Sequence, residues 1–233
     1  MGRRALRKIE PTLDLTNHLR TLDELPQPFH VAAHFGRELP LEVEVGSGKG
    51  LFIQNAAQSH PERCYMGIEV IRKYARYCAA CWARHSLQNA LMVQGDGLRV
   101  FHDYLLDQTV TAVHVYFPDP WWKKRHKKRR VMNEQLLADV QRVLIPGGQL
   151  HFWTDVAEYY KTSVELIAQE TSLIGPLPVQ ERPATDDLDY QTHFERRTRL
   201  QAQAVYRAEF RTPEAVGAPP HALVDQAELH RSS

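Results

Sequence analysis

From Leu41 onward the apolar positions fall into short runs separated by longer amphipathic stretches. "LEVEV" predicts a strand, "GSGKG" a turn and "LFIQNAAQSH" a helix. "CYMGIEV" predicts the second strand and "RKYARYCAACWARHS" the helix after it. "ALMVQ" and "VHVYF" read as the third and fourth strands. "NEQLLADVQRVL" is an amphipathic helix that the Pro-Gly-Gly at 146–148 should end. "QLHFWT" then predicts a fifth strand and "AEYYKTSVELIAQE" a further helix. Strands and helices alternating at this spacing imply an α/β fold: a parallel sheet with helices on both faces. "AVYRAEFRT" predicts a last, antiparallel strand at the edge region. Residues 1–40 hold no strong strand and read as an N-terminal extension with a short helix. Residues 175–190, rich in Pro and Asp, read as a loop, and 213–233 as a loose tail. The domain is thereby placed at 41–212.

Composition changes this picture little. With 233 residues, 43% of them apolar and 24% charged, the chain fits one globular domain with extensions. Apolar runs are strand-length, and the first ten residues are basic and polar, so neither a membrane span nor export is expected. Three cysteines give an odd count and no disulfide framework, which favours the cytoplasm. Cys78, Cys81 and His85 could share a helix face, but no fourth ligand lies near them in sequence. They read as small core-facing residues, and no metal is expected. Charge is informative through its distribution. The net value is +1, yet residues 123–130 carry seven Lys and Arg, so the rest sums to +1 less seven, or −6. A basic spot on an otherwise acidic chain suits local recognition of a polyanion.

Open α/β sheets bind ligands beyond the carboxyl ends of their strands. "EVGSGKG" lies there on the first strand and spells E-x-G-x-G-x-G through Glu44, Gly46, Gly48 and Gly50. A phosphate loop needs Gly-Lys followed by Ser or Thr, whereas Lys49 is followed by Gly50. The dinucleotide fingerprint puts its third glycine one residue later. The loop instead resembles the first motif of class I S-adenosylmethionine-dependent methyltransferases. That cofactor carries an ammonium, a sulfonium and two ribose hydroxyls, which carboxylates suit. On this resemblance Glu44 sits by the methionine end, Glu69 takes the ribose hydroxyls and Asp96 accepts from the adenine amino group. The plainer reading, solvent-facing strand ends, suits any one acid better than three at successive strand ends.

"YFPDPWWKKRHKKRR" follows the fourth strand. Prolines on both sides of Asp119 fix φ and stiffen its position. Trp121 and Trp122 can stack on a base or pack into the core. The basic run, by itself a solvated face or an import signal, becomes a grip for phosphates when it lies beside a cofactor site. "PDPWWKKRHKKRR" resembles the signature P-D-P-W-x-K-x-R-H-x-K-R-R of bacterial tRNA (guanine-N7-)-methyltransferases at every fixed position. The resemblance continues through "VEVGSGKG", "GIEV", "GDG", "FWTD" and "THFE", over roughly 41–211. It implies a Rossmann-like, mostly parallel seven-stranded sheet. It also implies a cytoplasmic enzyme that uses S-adenosyl-L-methionine to methylate N7 of the variable-loop guanosine, tRNA position 46. The motifs carry the cofactor side onto Glu44, Gly46, Gly48, Gly50, Glu69, Asp96 and Asp119. They carry the tRNA side onto Lys123, Asp155, Thr192, His193, Phe194 and Glu195, with Arg125, His126, Lys128, Arg129 and Arg130 in the basic run.

N7 of guanine carries a lone pair and no proton, so attack on a sulfonium methyl needs alignment rather than a base. Asp119 is the expected catalytic residue, stabilising the cationic product or orienting the base. Glu195 or Asp155 is expected to accept from N1–H and the 2-amino group. No obligate protein partner is expected, the chain acting as a monomer or homodimer. Three rivals share parts of this pattern. One is a class I methyltransferase acting on an exocyclic amine or a protein. Another is a non-catalytic RNA-binding scaffold. The third, a dinucleotide oxidoreductase, has the wrong glycine spacing.

Overall fold

The computed structural model describes residues 6–121, 125, 129–179 and 192–214, leaving aside the side chain of His193. The expectations for Trp122, Lys123, His126 and Lys128, for 180–190 and for the tail beyond Glu214 lie outside these residues.

The predicted alternation is present. Strands β2 (Leu41–Val45), β3 (Cys64–Glu69), β4 (Ala90–Gln94), β5 (Val110–Tyr116) and β6 (Leu144–Thr154) run parallel. Helices α2 (Leu51–Ser59), α3 (Arg72–Arg84), α5 (Glu134–Val143) and α6 (Ala157–Glu170) connect or follow them. A short helical turn, α4 (Gly97–Arg99), leaves β4. Near the C-terminus come β7 (Ile174–Leu177), α7 (His193–Leu200) and β8 (Tyr206–Arg211). Near the N-terminus lie β1 (Leu19–Thr21) and α1 (Val31–Phe35). Among the described residues the sheet has eight strands in the order β1-β4-β3-β2-β5-β6-β8-β7, and β8 runs antiparallel to both its neighbours.

Three details differ from the sequence reading. β1 adds an eighth strand: three residues of the supposed strandless segment pair with β4, and Met92 N–H donates to His18 O at 2.9 Å. β7 occupies the start of the supposed loop. The Pro-Gly-Gly does not form the helix end; α5 stops at Val143, and β6 runs through 146–148 with a shift of register against β5. Gly147 absorbs the kink at φ +74°.

Strand alternation gives the sheet two unlike faces. Leu41, Val43 and Val45 point to one side with Met66, Ile68, Val113, Val115, Leu150 and Phe152, under α5 and α6. Each such side chain contributes about 1.5–3 kcal/mol by leaving water. The N-terminal segment joins this core through Leu25, Phe29 and Val31. On the other face α2 and α3 cover β3 and β4, with Trp82 fully buried. Beyond them the floor turns polar. Arg63 donates to Glu42, Glu42 meets His114 at 2.8 Å, and His114 meets the Tyr116 hydroxyl at 2.9 Å. His151 stacks on His114 with ring centres 4.8 Å apart. Although burial pushes Glu42 up, His114 and Arg63 hold it down at about 2. A cavity of about 500 Å³ lies over this floor, walled by residues of α2 and α7.

Candidate active site at the carboxyl edge of the sheet

The strand order reverses between β3-β2 and β5-β6, so the crevice beyond β2 and β5 is where such a sheet takes its ligand. Every described acid singled out in the sequence, except Glu195 on α7 and Glu44 one residue inside β2, stands just at or beyond a strand end.

The glycine loop leaves β2 through left-handed backbone. Gly46, Gly48 and Gly50 have φ of +80°, +55° and +70°, where side chains other than glycine are strained. Gly50 is also sterically closed, because a Cβ there would lie 3.0 Å from Cys78 Sγ and from Trp82. α3 braces the loop from below: Trp82 Nε1–H donates to Gly50 O at 3.3 Å and Cys78 Sγ–H to Gly48 O at 3.1 Å. Cys78 therefore faces the loop, whereas His85 reaches Gln54 and Gln58 on α2.

Glu69 ties the loop to β3. Its Oε2 accepts from Gly48 N–H at 2.9 Å and its Oε1 from Ile71 N–H at 2.8 Å. Each oxygen keeps a lone pair for a further donor, such as a ribose hydroxyl. Burial raises its pKa against those two bonds, and the charge of Asp119 adds to the rise.

Glu44 is different. It is 3% exposed, and among the described residues its Oε2 has no hydrogen-bond partner. Burial pushes it up to about 8, with Ser47 opposing and the charge of Glu69 reinforcing the rise. A buried acceptor without a donor costs roughly 1–3 kcal/mol. An ammonium would remove that cost and restore the charge, so the site fits the methionine end of S-adenosylmethionine. Asp96 caps α4, accepting from Leu98 N–H at 2.9 Å, and remains exposed with acceptor capacity to spare.

Asp119 is exposed, and its backbone is clamped from both sides. Phe117 N–H donates to Trp153 O at 2.8 Å, and Pro120 O accepts from Arg130 Nε–H at 2.8 Å. Phe117 and Trp121 bracket the segment at φ +49° and +43°. The guanidinium of Arg130 also lies 4.6 Å from the Tyr159 ring centre. Arg130 is thus a clamp on the loop, whereas Arg125 and Arg129 are exposed, the latter 5.3 Å from the Trp121 ring.

Asp155 lies half-buried just past β6. Thr192 caps α7 by accepting from Glu195 N–H at 2.9 Å. Phe194 packs on Phe117 at 5.0 Å, which seats α7 against the Asp119 segment. Glu195 is 2% exposed, and its Oε1 accepts from Arg207 at 3.1 Å and from Arg199 at 3.4 Å. Sequence reading missed Arg199, Arg207, Ser47 and Tyr159. The one available signal was the i,i+4 spacing of Glu195 and Arg199.

Residues 38–208 match the family model described as "Putative methyltransferase". The chain is 48% identical to the tRNA (guanine-N(7)-)-methyltransferase of Rhodopirellula baltica, over 91% of this chain and 80% of that protein. It is 34% identical to the protein of the same name from Alkalilimnicola ehrlichii, over 82% of this chain and 80% of that one. Among solved structures, the aminoglycoside resistance methyltransferase NpmB1 superposes with a TM-score of 0.53 at 18% identity, covering 77% of this chain and 91% of that chain. That likeness concerns the fold alone. With matches running from before β2 into β8, the chain belongs to the tRNA (guanine-N7-)-methyltransferase family of class I S-adenosylmethionine-dependent enzymes.

Proposed function

We propose that this chain transfers a methyl group from S-adenosyl-L-methionine to N7 of the variable-loop guanosine of tRNA, position 46, in the cytoplasm. The observation that carries the reading is the row of carboxylates along one sheet edge, with Glu44 buried and its Oε2 lacking a donor among the described residues, beside a left-handed glycine loop. When bound, adenosylmethionine supplies an electrophilic methyl on a positively charged sulfur. Glu44 holds the ammonium, Glu69 the ribose hydroxyls and Asp96 the adenine amino group. Asp119 stands across the switch point from Glu69. Its clamped backbone keeps its carboxylate where positive charge develops as N7 takes the methyl group, and such fixed charge is worth most when it need not reorganise. No side chain has to remove a proton, since N7 bears none. Arg125, Arg129 and Lys123 meet phosphates, while Asp155 and the Thr192–Glu195 turn meet the base.

The test is to mix the purified chain with labelled adenosylmethionine and unmodified tRNA, then identify the labelled nucleoside. Label in 7-methylguanosine from the variable loop is expected. Label in another nucleoside, or no adenosylmethionine binding, refutes the reading.

A further inference from the structure

Among the described residues two guanidinium groups hold Glu195, and they differ in where they come from. Arg199 lies one turn along the same helix, so it moves with Glu195 and cannot fix α7 in space. Arg207 comes from β8. Its side chain is 8% exposed and reaches Glu195 Oε1 at 3.1 Å. It stands opposite Trp153 in the β6–β8 ladder, with its guanidinium 4.9 Å from that indole ring. Trp153 in turn accepts from Phe117 N–H, the first anchor of the Asp119 segment. One buried cation therefore joins the end of β6, the Asp119 segment and the carboxylate of α7.

We infer that Arg207 is a positioning residue for acceptor-base selection: it fixes Glu195 relative to Asp119, so that Glu195 meets the donor edge of guanine while N7 faces the methyl group. The inference rests on the proposed guanine-N7 reaction. A planar guanidinium suits the task, because it can bond a carboxylate with its edge while its face rests on an aromatic ring. Guanine presents N1–H and a 2-amino group on the edge that a carboxylate can read. A reader placed a fraction of an ångström away would still allow methylation but would lose its preference for that edge.

The test compares two tRNAs that differ at one nucleotide, guanosine or inosine at the methylated position. Inosine keeps N7 and N1–H but lacks the 2-amino group. The enzyme is expected to prefer guanosine. In Arg207→Met and Arg207→Gln the ratio of kcat/KM for guanosine over inosine should fall about tenfold or more, as expected when a hydrogen bond to a charged group is lost. Adenosylmethionine affinity, read by calorimetry, should be unchanged. If Arg207→Met does not fold, Arg207→Gln decides by the same ratio. An unchanged ratio overturns the inference even if both rates drop. So does loss of adenosylmethionine binding in both variants, which makes the role structural, and so does an enzyme with no preference between the two tRNAs. An enzyme that methylates neither tRNA refutes the proposed reaction itself, which separates the two failures.

Discussion

The two halves of the site treat their carboxylates in opposite ways. On the β2–β4 side Glu69 has backbone donors, Glu44 keeps one oxygen without a donor, neither has a cation within bonding distance among the described residues, and burial raises the proton affinity of both. On the β5–β8 side Glu195 is held by Arg207 and Arg199. A buried acid without its counter-charge is poised for a cationic ligand. A buried acid already paired is fixed in place and can act as a template. The first half offers an unmet acceptor; the second already holds its carboxylate between two guanidinium groups among the described residues.

The largest effect that could break this contrast is at the boundary between the halves. Asp119→Asn keeps the shape of the site and removes the charge. Turnover should fall about 10²- to 10³-fold, the loss typical of one preorganised electrostatic group, with adenosylmethionine affinity changed far less. Equal losses in single-turnover rate and affinity would move Asp119 wholly into cofactor binding.

Glu44→Gln comes next. Losing a charge-assisted bond should weaken adenosylmethionine binding about 10- to 100-fold. The same substitution should stabilise the empty protein. Glu44 titrates near 8 in the folded state and near the ordinary carboxylate value when unfolded, so the folded state retains its proton longer. Stability attributable to Glu44 therefore falls as pH rises between those two values. The variant should gain on the parent over that window and level off above pH 8, as followed by thermal melts. A parent that melts higher than the variant at pH 8 would contradict an unpaired buried acid.

The same titration predicts how binding depends on pH. Below 8 a proton must leave Glu44 before it can hold an ammonium. Affinity should therefore rise between pH 6 and 8, by at most about tenfold per pH unit, and then flatten. Calorimetry in two buffers of different ionisation heat would count the released proton, and no release at pH 7 would refute the assignment.

The smallest expected effect concerns the basic loop. Each phosphate contact contributes roughly 0.7–0.9 to the salt slope of binding. Arg129→Ala should remove about one contact. Arg130→Ala should leave the slope nearly unchanged and loosen the loop, because its guanidinium already serves Pro120 and Tyr159. A slope that shrinks equally for both would show that Arg130 leaves its clamp when RNA binds.

The legible part of the molecule was its local part. From β2 to β4 each strand, turn and helix is written within about thirty residues, and the glycines, Glu44 and Glu69 fall inside those units. β1 was hidden because three mixed residues carry no period; pairing with β4 makes them a strand. The Pro-Gly-Gly misled because a bulge and a turn use the same residues. Arg207 carried no signal at all. Its partners Glu195 and Trp153 come from other elements, and only the folded sheet brings them together.

The three-residue strand β1 bears on how the protein behaves at high concentration. Beneath it lies β4, Ala-Leu-Met-Val-Gln, whose first four residues are buried. Left bare, that apolar border would offer unpaired backbone groups to any other extended chain, the usual route to edge-to-edge aggregation. β1 closes it with a rim too short to recruit a neighbour. The far border ends in β7, four residues that include a proline lacking an N–H. Removing residues 1–21 should leave the reaction centre in place yet raise light scattering as the protein is concentrated; a truncated chain that stays clear would assign solubility to something other than these two blunted rims.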